Sequence, residues 1–195
     1  MNRQNSSFTE DDVIDERFRS SLSDFRGSGY DRGHMAPAMN HQSSSRDMDE
    51  TFYLTNISPQ VGIGFNRDYW ARFERFCKTL VTLHGYDDVF VLTGPLYLPS
   101  KASRGGSSNT KWQMKHLCIG DAPRLVAVPT HFFKVILAEK GKTENSRRKG
   151  GGRKEGDDNV DLSMAAFVMP NEATDHATPL AAFSVPIRSL EEAGA

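Results

Sequence analysis

The chain has 195 residues, of which 37% are hydrophobic and 10% aromatic. This is enough to bury a sizeable core, so we predict a single globular domain over residues 1–195. With 24 Lys and Arg against 25 Asp and Glu, the net charge is −1. No global positive field therefore attracts a polyanion, and a site for one must be locally basic.

Two further classes are excluded by composition. The two cysteines, Cys77 and Cys118, neither make a disulfide framework nor offer the four ligands of a structural zinc site, and we expect both to be buried thiols. No apolar run approaches the roughly 20 residues of a membrane span, and the polar start lacks the apolar core of a signal peptide.

The predicted elements begin with a polar stretch, residues 1–29, where we expect loop and a short helix. Runs of β-branched and aromatic residues then favour strands at 51–57 and 89–93, ended by Pro59 and by Gly94 with Pro95. Further strands are expected at 113–119, 125–128, 132–138 and 164–169.

The clearest predicted element is a helix between the first two strands. Large apolar residues recur there at steps of three and four, the period of a helix with one buried face. They are Tyr69, Phe73, Phe76, Leu80 and Leu83. Strands, one long helix and then more strands favour a mixed α+β fold over regular βαβ alternation.

Residues 140–159 differ in composition from the rest of the chain. They contain three consecutive glycines, many Lys and Arg, and no large apolar residue. Such a segment cannot offset its ordering entropy by burial, so we predict a mobile basic loop. It is either a solvated insertion between two strands or a basic arm that contacts phosphates.

The residues that carry chemistry begin with Asp31-Arg32-Gly33-His34. In a strand, Arg32 and His34 would point to the same side. An arginine beside a histidine suits phosphodiester hydrolysis, in which the first neutralises phosphate and the second takes a proton from water. Taken alone, the motif also fits a structural histidine.

Asn66 lies at the start of the predicted helix, and its amide oxygen is a ligand that Mg²⁺ accepts. Glu74 follows about 80° round an ideal helix and roughly 12 Å further along it. A regular helix would not let both residues bind one ion directly. Either Asn66 precedes the helix and folds back, or Glu74 acts through a metal-bound water.

Several motifs occur together and in order, so that the chain resembles the DNA/RNA non-specific endonucleases with the Asp-Arg-Gly-His signature, and within them the endonuclease G branch. The resemblance runs from about Gly29 to Leu190. Besides the signature it rests on Phe52–Asn56, Ser58–Gly62, Thr93–Tyr97, Val128–Lys134, Val168–Asn171 and Val185–Ile187.

The resemblance implies an α+β fold of the ββα-metal (His-Me finger) endonuclease type, with a mixed, mainly antiparallel sheet and flanking helices. It also implies a role for each motif residue. His34 matches the general base, Arg32 the phosphate-facing arginine, Asn66 the single protein ligand of Mg²⁺, and Glu74 an outer-shell carboxylate. Mn²⁺ is expected to substitute for Mg²⁺. Residues that match site-shaping positions, with hydrogen bonding to loop backbone as the plainer alternative, are Asp31, Asn56 and Gln60.

The activity implied by the resemblance is Mg²⁺-dependent, sequence-nonspecific hydrolysis of DNA and RNA to 5′-phosphate products. A homodimer and a mitochondrial location are also implied, although no presequence is visible. The family usually carries an arginine-containing strand before the signature, where this chain has Met1–Gln4 and a polar stretch; we expect that N-terminal strand region to be lacking. The alternatives are a catalytically impaired nucleic-acid-binding homologue and a metal-dependent phosphoesterase of small substrates.

Overall fold

The computed structural model describes residues 6–101, 112–141 and 160–194. The main sheet is built from strands β3 (Asp88–Leu96), β8 (His131–Gly141), β9 (Val160–Pro170) and β10 (Ser184–Val185). Their order is β10-β9-β8-β3, and each neighbouring pair is antiparallel. The predictions at 89–93, 132–138 and 164–169 are therefore confirmed as strands.

Smaller antiparallel pairs complete the described strands. Strand β1 (Asp31–His34) pairs with β2 (Ile57–Gln60). The other pairs are β4 (Ser100–Lys101) with β5 (Trp112–Gln113) and β6 (Cys118–Ile119) with β7 (Val126–Ala127).

The described helices are α1 (Ser45–Glu50), α2 (Ala71–Thr82) and α3 (Ile187–Gly194), together with a π-helical segment over Gly62–Trp70 that leads directly into α2. The predicted long helix is thus confirmed, and its first turns are of the wider π type. Antiparallel sheets with a few flanking helices confirm the α+β class. Among the described helices, none is long and apolar enough to cross a membrane.

The main core lies between α2 and one face of the main sheet. Alternate residues of β8 point towards the helix, and Phe132 and Ile136 are buried there. Phe73 of α2 meets Phe167 of β9 edge to face at 5.0 Å between ring centroids, and Trp70 lies 5.6 Å from Phe132. The helical period of the apolar residues is what places these rings on one side of α2.

Asn171 connects the β1–β2 pair to the main sheet. Its Nδ2 donates to the carbonyl oxygens of Pro59 (3.1 Å) and Pro129 (3.0 Å), and its Oδ1 accepts from the backbone N–H of Val61 (2.9 Å). Val61 directly follows β2. The side-chain amide of Asn171 therefore fixes the end of β2, the strand that pairs with the signature strand β1.

The strand predicted over residues 51–57 is wrong in its position. Leu54–Asn56 form a 3₁₀ turn, and the strand begins at Ile57. The backbone N–H of Leu54 donates to Thr9 at 2.9 Å, and that of Asn56 to Tyr53 at 2.9 Å. Long-range and turn hydrogen bonds therefore override the local strand propensity.

Other local predictions also need correction. Residues 6–29 contain turns and no helix. The strand expected at 113–119 is interrupted, since β5 ends at Gln113 and β6 begins at Cys118. Cys77 is buried but Cys118 is exposed. Of the predicted basic loop, Lys140 and Gly141 belong to β8, and residues 142–159 lie outside the described residues.

Candidate active site

Strand β1 places Arg32 and His34 side by side. The guanidinium carbon of Arg32 lies 4.9 Å from the centroid of the Phe8 ring, and the His34 ring lies 5.5 Å from the same ring. His34 also meets Phe52 edge to face at 4.9 Å and is 8% exposed. The shared contact with Phe8 agrees with the prediction from strand alternation that both side chains point the same way.

Asp31 lies on the opposite side of β1 and bonds to the π-helical segment. Its carboxylate accepts a hydrogen bond from Nδ2 of Asn66 at 2.9 Å, and two from Arg67 at 2.7 and 2.6 Å. The hydrogen bond from Arg67 lowers the pKa of Asp31, and Asn66 acts in the same direction. The carboxylate therefore stays ionised at neutral pH and holds both side chains.

Arg67 is a site residue that sequence reasoning missed. In the sequence, Arg67 is only a cation that directly follows Asn66. Its partner, Asp31, is identified only by the fold, which brings the two side chains together. Arg67 is largely exposed, and only its guanidinium end is engaged.

Asn66 lies inside the helical segment, not before it. Its backbone N–H donates to Val61 at 2.9 Å, an i to i−5 hydrogen bond typical of a π-turn. Helical geometry is broken earlier, at Ile63 and Gly64. Of the two sequence alternatives, the one in which Asn66 precedes the helix is therefore wrong, and Glu74 lies two turns further along the same helix.

The donor atoms of this region fit a hard divalent cation. Because Nδ2 of Asn66 donates to Asp31, the Oδ1 atom is the one left to bind a cation, and Mg²⁺ prefers such oxygen ligands. Within the described ranges, no group of three or more His, Cys, Asp or Glu is placed to hold a metal ion. A site that uses one amide oxygen suits an ion that keeps several of its waters.

Asn56 binds the loop that follows His34. Its Oδ1 accepts from the backbone N–H of Ala36 at 2.9 Å, while its Nδ2 donates to the carbonyl oxygens of Ala36 (2.9 Å) and Thr51 (2.8 Å). These are hydrogen bonds to loop backbone, the plainer of the two roles considered for Asn56 from the sequence. They also set the course of the chain two residues after His34.

Gln60 is fully buried against the glycine of the signature. A Cβ atom at position 33 would overlap the Gln60 side chain, so the close approach explains why glycine stands between Arg32 and His34. Among the described residues, the amide atoms of Gln60 have no hydrogen-bond partner. The contact of its side chain with Gly33 is therefore one of packing.

Glu74 lines a cavity of about 700 Å³ between α2, the main sheet and the loop after His34. Asn56 and Lys134 line the same cavity, as does Met35. The structure thus brings Arg32 and His34 together on Phe8 and joins Asp31 to Asn66 by a hydrogen bond. Asn56 and Glu74 line the same cavity, and Gln60 packs against Gly33.

Other histidines of the described residues lie on the surface or are half-buried. His131 is half-buried, its Nδ1 is 3.0 Å from the Thr130 hydroxyl, and burial lowers its pKa. His176 lies on the surface, with Nε2 3.9 Å from Asp68. His41 is exposed at the rim of the cavity that Glu74 lines.

Comparison with known proteins shows the family of the chain. The sequence pattern of the DNA/RNA non-specific endonucleases matches residues 1–195, and the chain belongs to that family. It is similar to "Nuclease 1, mitochondrial" of Schizosaccharomyces pombe, with 47% identity over 98% of this chain and 53% of the relative. It is also similar to human "Endonuclease G, mitochondrial", with 41% identity over 98% of this chain and 55% of that protein.

A solved structure shares the fold. The crystal structure titled "Crystal structure of the EndoG/EndoGI complex: Mechanism of EndoG inhibition" superposes with a TM-score of 0.81 at 42% identity, covering 98% of this chain and 68% of that one. The chain spans about half the length of the curated relatives that it matches. The resemblance inferred from the signature and its companion motifs is therefore confirmed.

Proposed function

We propose that the protein is a Mg²⁺-dependent endonuclease that cleaves DNA and RNA without sequence preference and leaves 5′-phosphate ends. The observation that carries the proposal is the hydrogen bond between Asp31 on the signature strand and Asn66 on the following helix. It couples the strand of the candidate base to the candidate metal ligand. Names of relatives, all nucleases, give independent support.

His34 acts as the general base in this proposal. Its neutral imidazole takes a proton from a water, and the resulting hydroxide attacks phosphorus while the bond to the 3′ oxygen breaks. The aromatic contacts with Phe8 and Phe52 hold the ring in one orientation. The residue as a whole is only 8% exposed.

Arg32 and Asn66 have roles in binding the phosphate, the first directly and the second through the metal ion. Arg32, beside His34 on Phe8, adds positive charge where the phosphate becomes most negative in the transition state. Asn66 would hold the ion through Oδ1, and Glu74 would serve as an outer-shell carboxylate. When bound, Mg²⁺ stabilises the phosphate and the leaving oxygen; Mn²⁺ is expected to substitute.

The lack of sequence preference follows from what these groups recognise. Arginine and a divalent cation bind the sugar–phosphate backbone, which carries no base information. Both DNA and RNA should therefore serve as substrates. The net charge of −1 means that attraction to the polymer must come from local cations.

A plasmid-nicking assay tests the proposal. Supercoiled DNA is incubated with the native protein in Mg²⁺, in EDTA, and with the His34→Ala variant. We expect nicking by the native protein in Mg²⁺, and none in EDTA or by the His34→Ala variant. DNA that stays intact with the native protein in Mg²⁺ but is retained in a gel-shift assay would instead indicate a nucleic-acid-binding homologue without catalysis.

A homodimer and a mitochondrial location are proposed on the same resemblance. Two relatives carry "mitochondrial" in their names. On the main sheet, Phe90 (57% exposed) and Met164 (61%) both pair with Leu137 across the strands and give an apolar row that a second copy can cover. Light scattering coupled to size exclusion measures the mass, and a monomer would contradict the proposed dimer.

A further inference from the structure

Lys134 is the least expected residue of the core. On β8 it lies on the same face as the buried residues Phe132 and Ile136, yet it carries a charge and is 1% exposed. Burying an ammonium group costs free energy unless hydrogen bonds and an opposite charge compensate. An unbranched apolar side chain would fill the same place without that cost.

The surroundings of the ammonium group compensate part of this cost. Its Nζ donates to the hydroxyl of Thr93 at 3.0 Å, directly across the β3–β8 ladder. It also lies 4.2 Å from the centroid of the Trp70 ring and 5.9 Å from that of Phe73, a cation–π arrangement. These contacts fix its position but supply no negative charge.

The negative charge comes from α2. Burial lowers the pKa of Lys134, whereas Glu74 and Cys77 raise it. Burial raises the pKa of the Cys77 thiol to about 11, so that this group is neutral at pH 7. Glu74 is therefore the anion of the pair that faces Lys134.

Helix geometry explains why these groups meet. Trp70, Glu74 and Cys77 follow one another at steps of four and three positions and so share one side of the helix. Trp70 packs on Lys134, and Glu74 and Lys134 line the same cavity of about 700 Å³. Glu74, Lys134 and the loop that follows His34 therefore line one cavity.

We propose that Lys134 is a positioning residue, which holds the ionised carboxylate of Glu74 in place for the divalent ion bound through Asn66. This inference rests on the proposed function for the ion. Thr93 and Trp70 direct the ammonium group, and the ammonium group in turn directs Glu74. The charge at position 134 is then explained by the site and not by packing.

A double-mutant cycle tests the proposal. Lys134→Met keeps the length of the side chain and removes its charge, and Glu74→Gln removes the charge of its partner. Mg²⁺ affinity is measured by calorimetry without nucleic acid. We expect Lys134→Met to weaken binding about 10- to 100-fold, as for other outer-shell groups, and to cause no further loss in the Glu74→Gln background.

The control is Lys140→Met, which removes the same charge from the exposed end of β8 and should leave Mg²⁺ affinity unchanged. An equal loss from Lys134→Met in both backgrounds, or none in either, would overturn the proposal. If Lys134→Met does not fold, Thr93→Val removes the acceptor of its Nζ, and the same cycle is run with that variant.

The same four proteins are unfolded in urea, which measures coupling between Lys134 and Glu74 whether or not an ion binds. A native protein that fails to nick DNA defeats the proposed function. If that happens while the unfolding cycle still shows coupling, the electrostatic interaction between the two residues stands. Absence of coupling in the unfolding cycle contradicts the Lys134 proposal in either case.

Discussion

Asp31 and Asn66 are 35 positions apart in the chain, and a hydrogen bond of 2.9 Å joins their side chains. The bond uses the Nδ2 atom of the amide and so directs Oδ1 away from Asp31. Because the same carboxylate binds Arg67, one residue of the signature strand orients the start of the helix.

Replacement of Asp31 by alanine should therefore weaken Mg²⁺ binding, by about 10- to 100-fold, because the amide of Asn66 loses its orientation. Calorimetric titration with Mg²⁺ measures the effect. Asp15→Ala is the matched control, since Asp15 forms a similar two-point pair with Arg17 on an exposed loop. Equal Mg²⁺ affinity of the Asp31→Ala and native proteins would remove Asp31 from the site.

Replacement of His34 and replacement of Asn66 should impair different steps. His34→Ala is expected to keep Mg²⁺ and DNA binding but to lose turnover by about 10²- to 10⁴-fold, and extra Mg²⁺ should not restore it. Asn66→Ala should bind Mg²⁺ more weakly and recover in part at high Mg²⁺. Cleavage rates over a range of Mg²⁺ concentrations separate them; near-native cutting by His34→Ala would refute its role.

Stability should depend on pH through Asp31. Its pKa is lowered in the folded protein, chiefly by Arg67, so its contribution to stability is complete above the ordinary carboxyl value of about 3.9 and is lost as pH falls through the folded value. Urea unfolding between pH 6 and pH 2 should give a shallower acid decline for Asp31→Asn than for the native protein. Identical declines would argue against the pair with Arg67 in solution.

The glycine of the signature should be required by Gln60. Gly33→Ala places a Cβ where the Gln60 side chain lies, and overpacking of this kind costs about 1–3 kcal/mol. Shortening the neighbour in the double variant Gly33→Ala, Gln60→Ala should lower the cost of the first change. Unfolding free energies of the native protein and the three variants test this; strictly additive losses would show that the two side chains do not compete for space.

Neutralising the basic loop should change the affinity for nucleic acid without abolishing cleavage. Its cations lie outside the described residues, so this prediction comes from the sequence alone. Each lost phosphate contact should reduce the slope of log affinity against log salt by about one. The residues to neutralise together are Arg147, Arg148, Lys149, Arg153 and Lys154. An unchanged slope would make the segment a passive insertion.

The sequence alone determined the elements that depend on local periodicity. Apolar residues at steps of three and four gave α2, and β-branched runs gave the centres of β3, β8 and β9, because burial of one face leaves a regular pattern. Strand alternation placed Arg32 beside His34. The motifs, which occur in order along the chain, were specific enough to identify the family.

Only the tertiary structure decided which distant residues meet. The contacts of Asp31 with Asn66, of Lys134 with Trp70, and of Asn171 with Pro59 join segments that are 35 or more positions apart. The misplaced strand at 51–57 has the same origin, since the hydrogen bond between Leu54 and Thr9 competes with local propensity and leaves no trace in the segment itself. Hydrogen bonds and charge pairs act over a few ångströms in space and have no period along the chain, so only the folded chain identifies their partners.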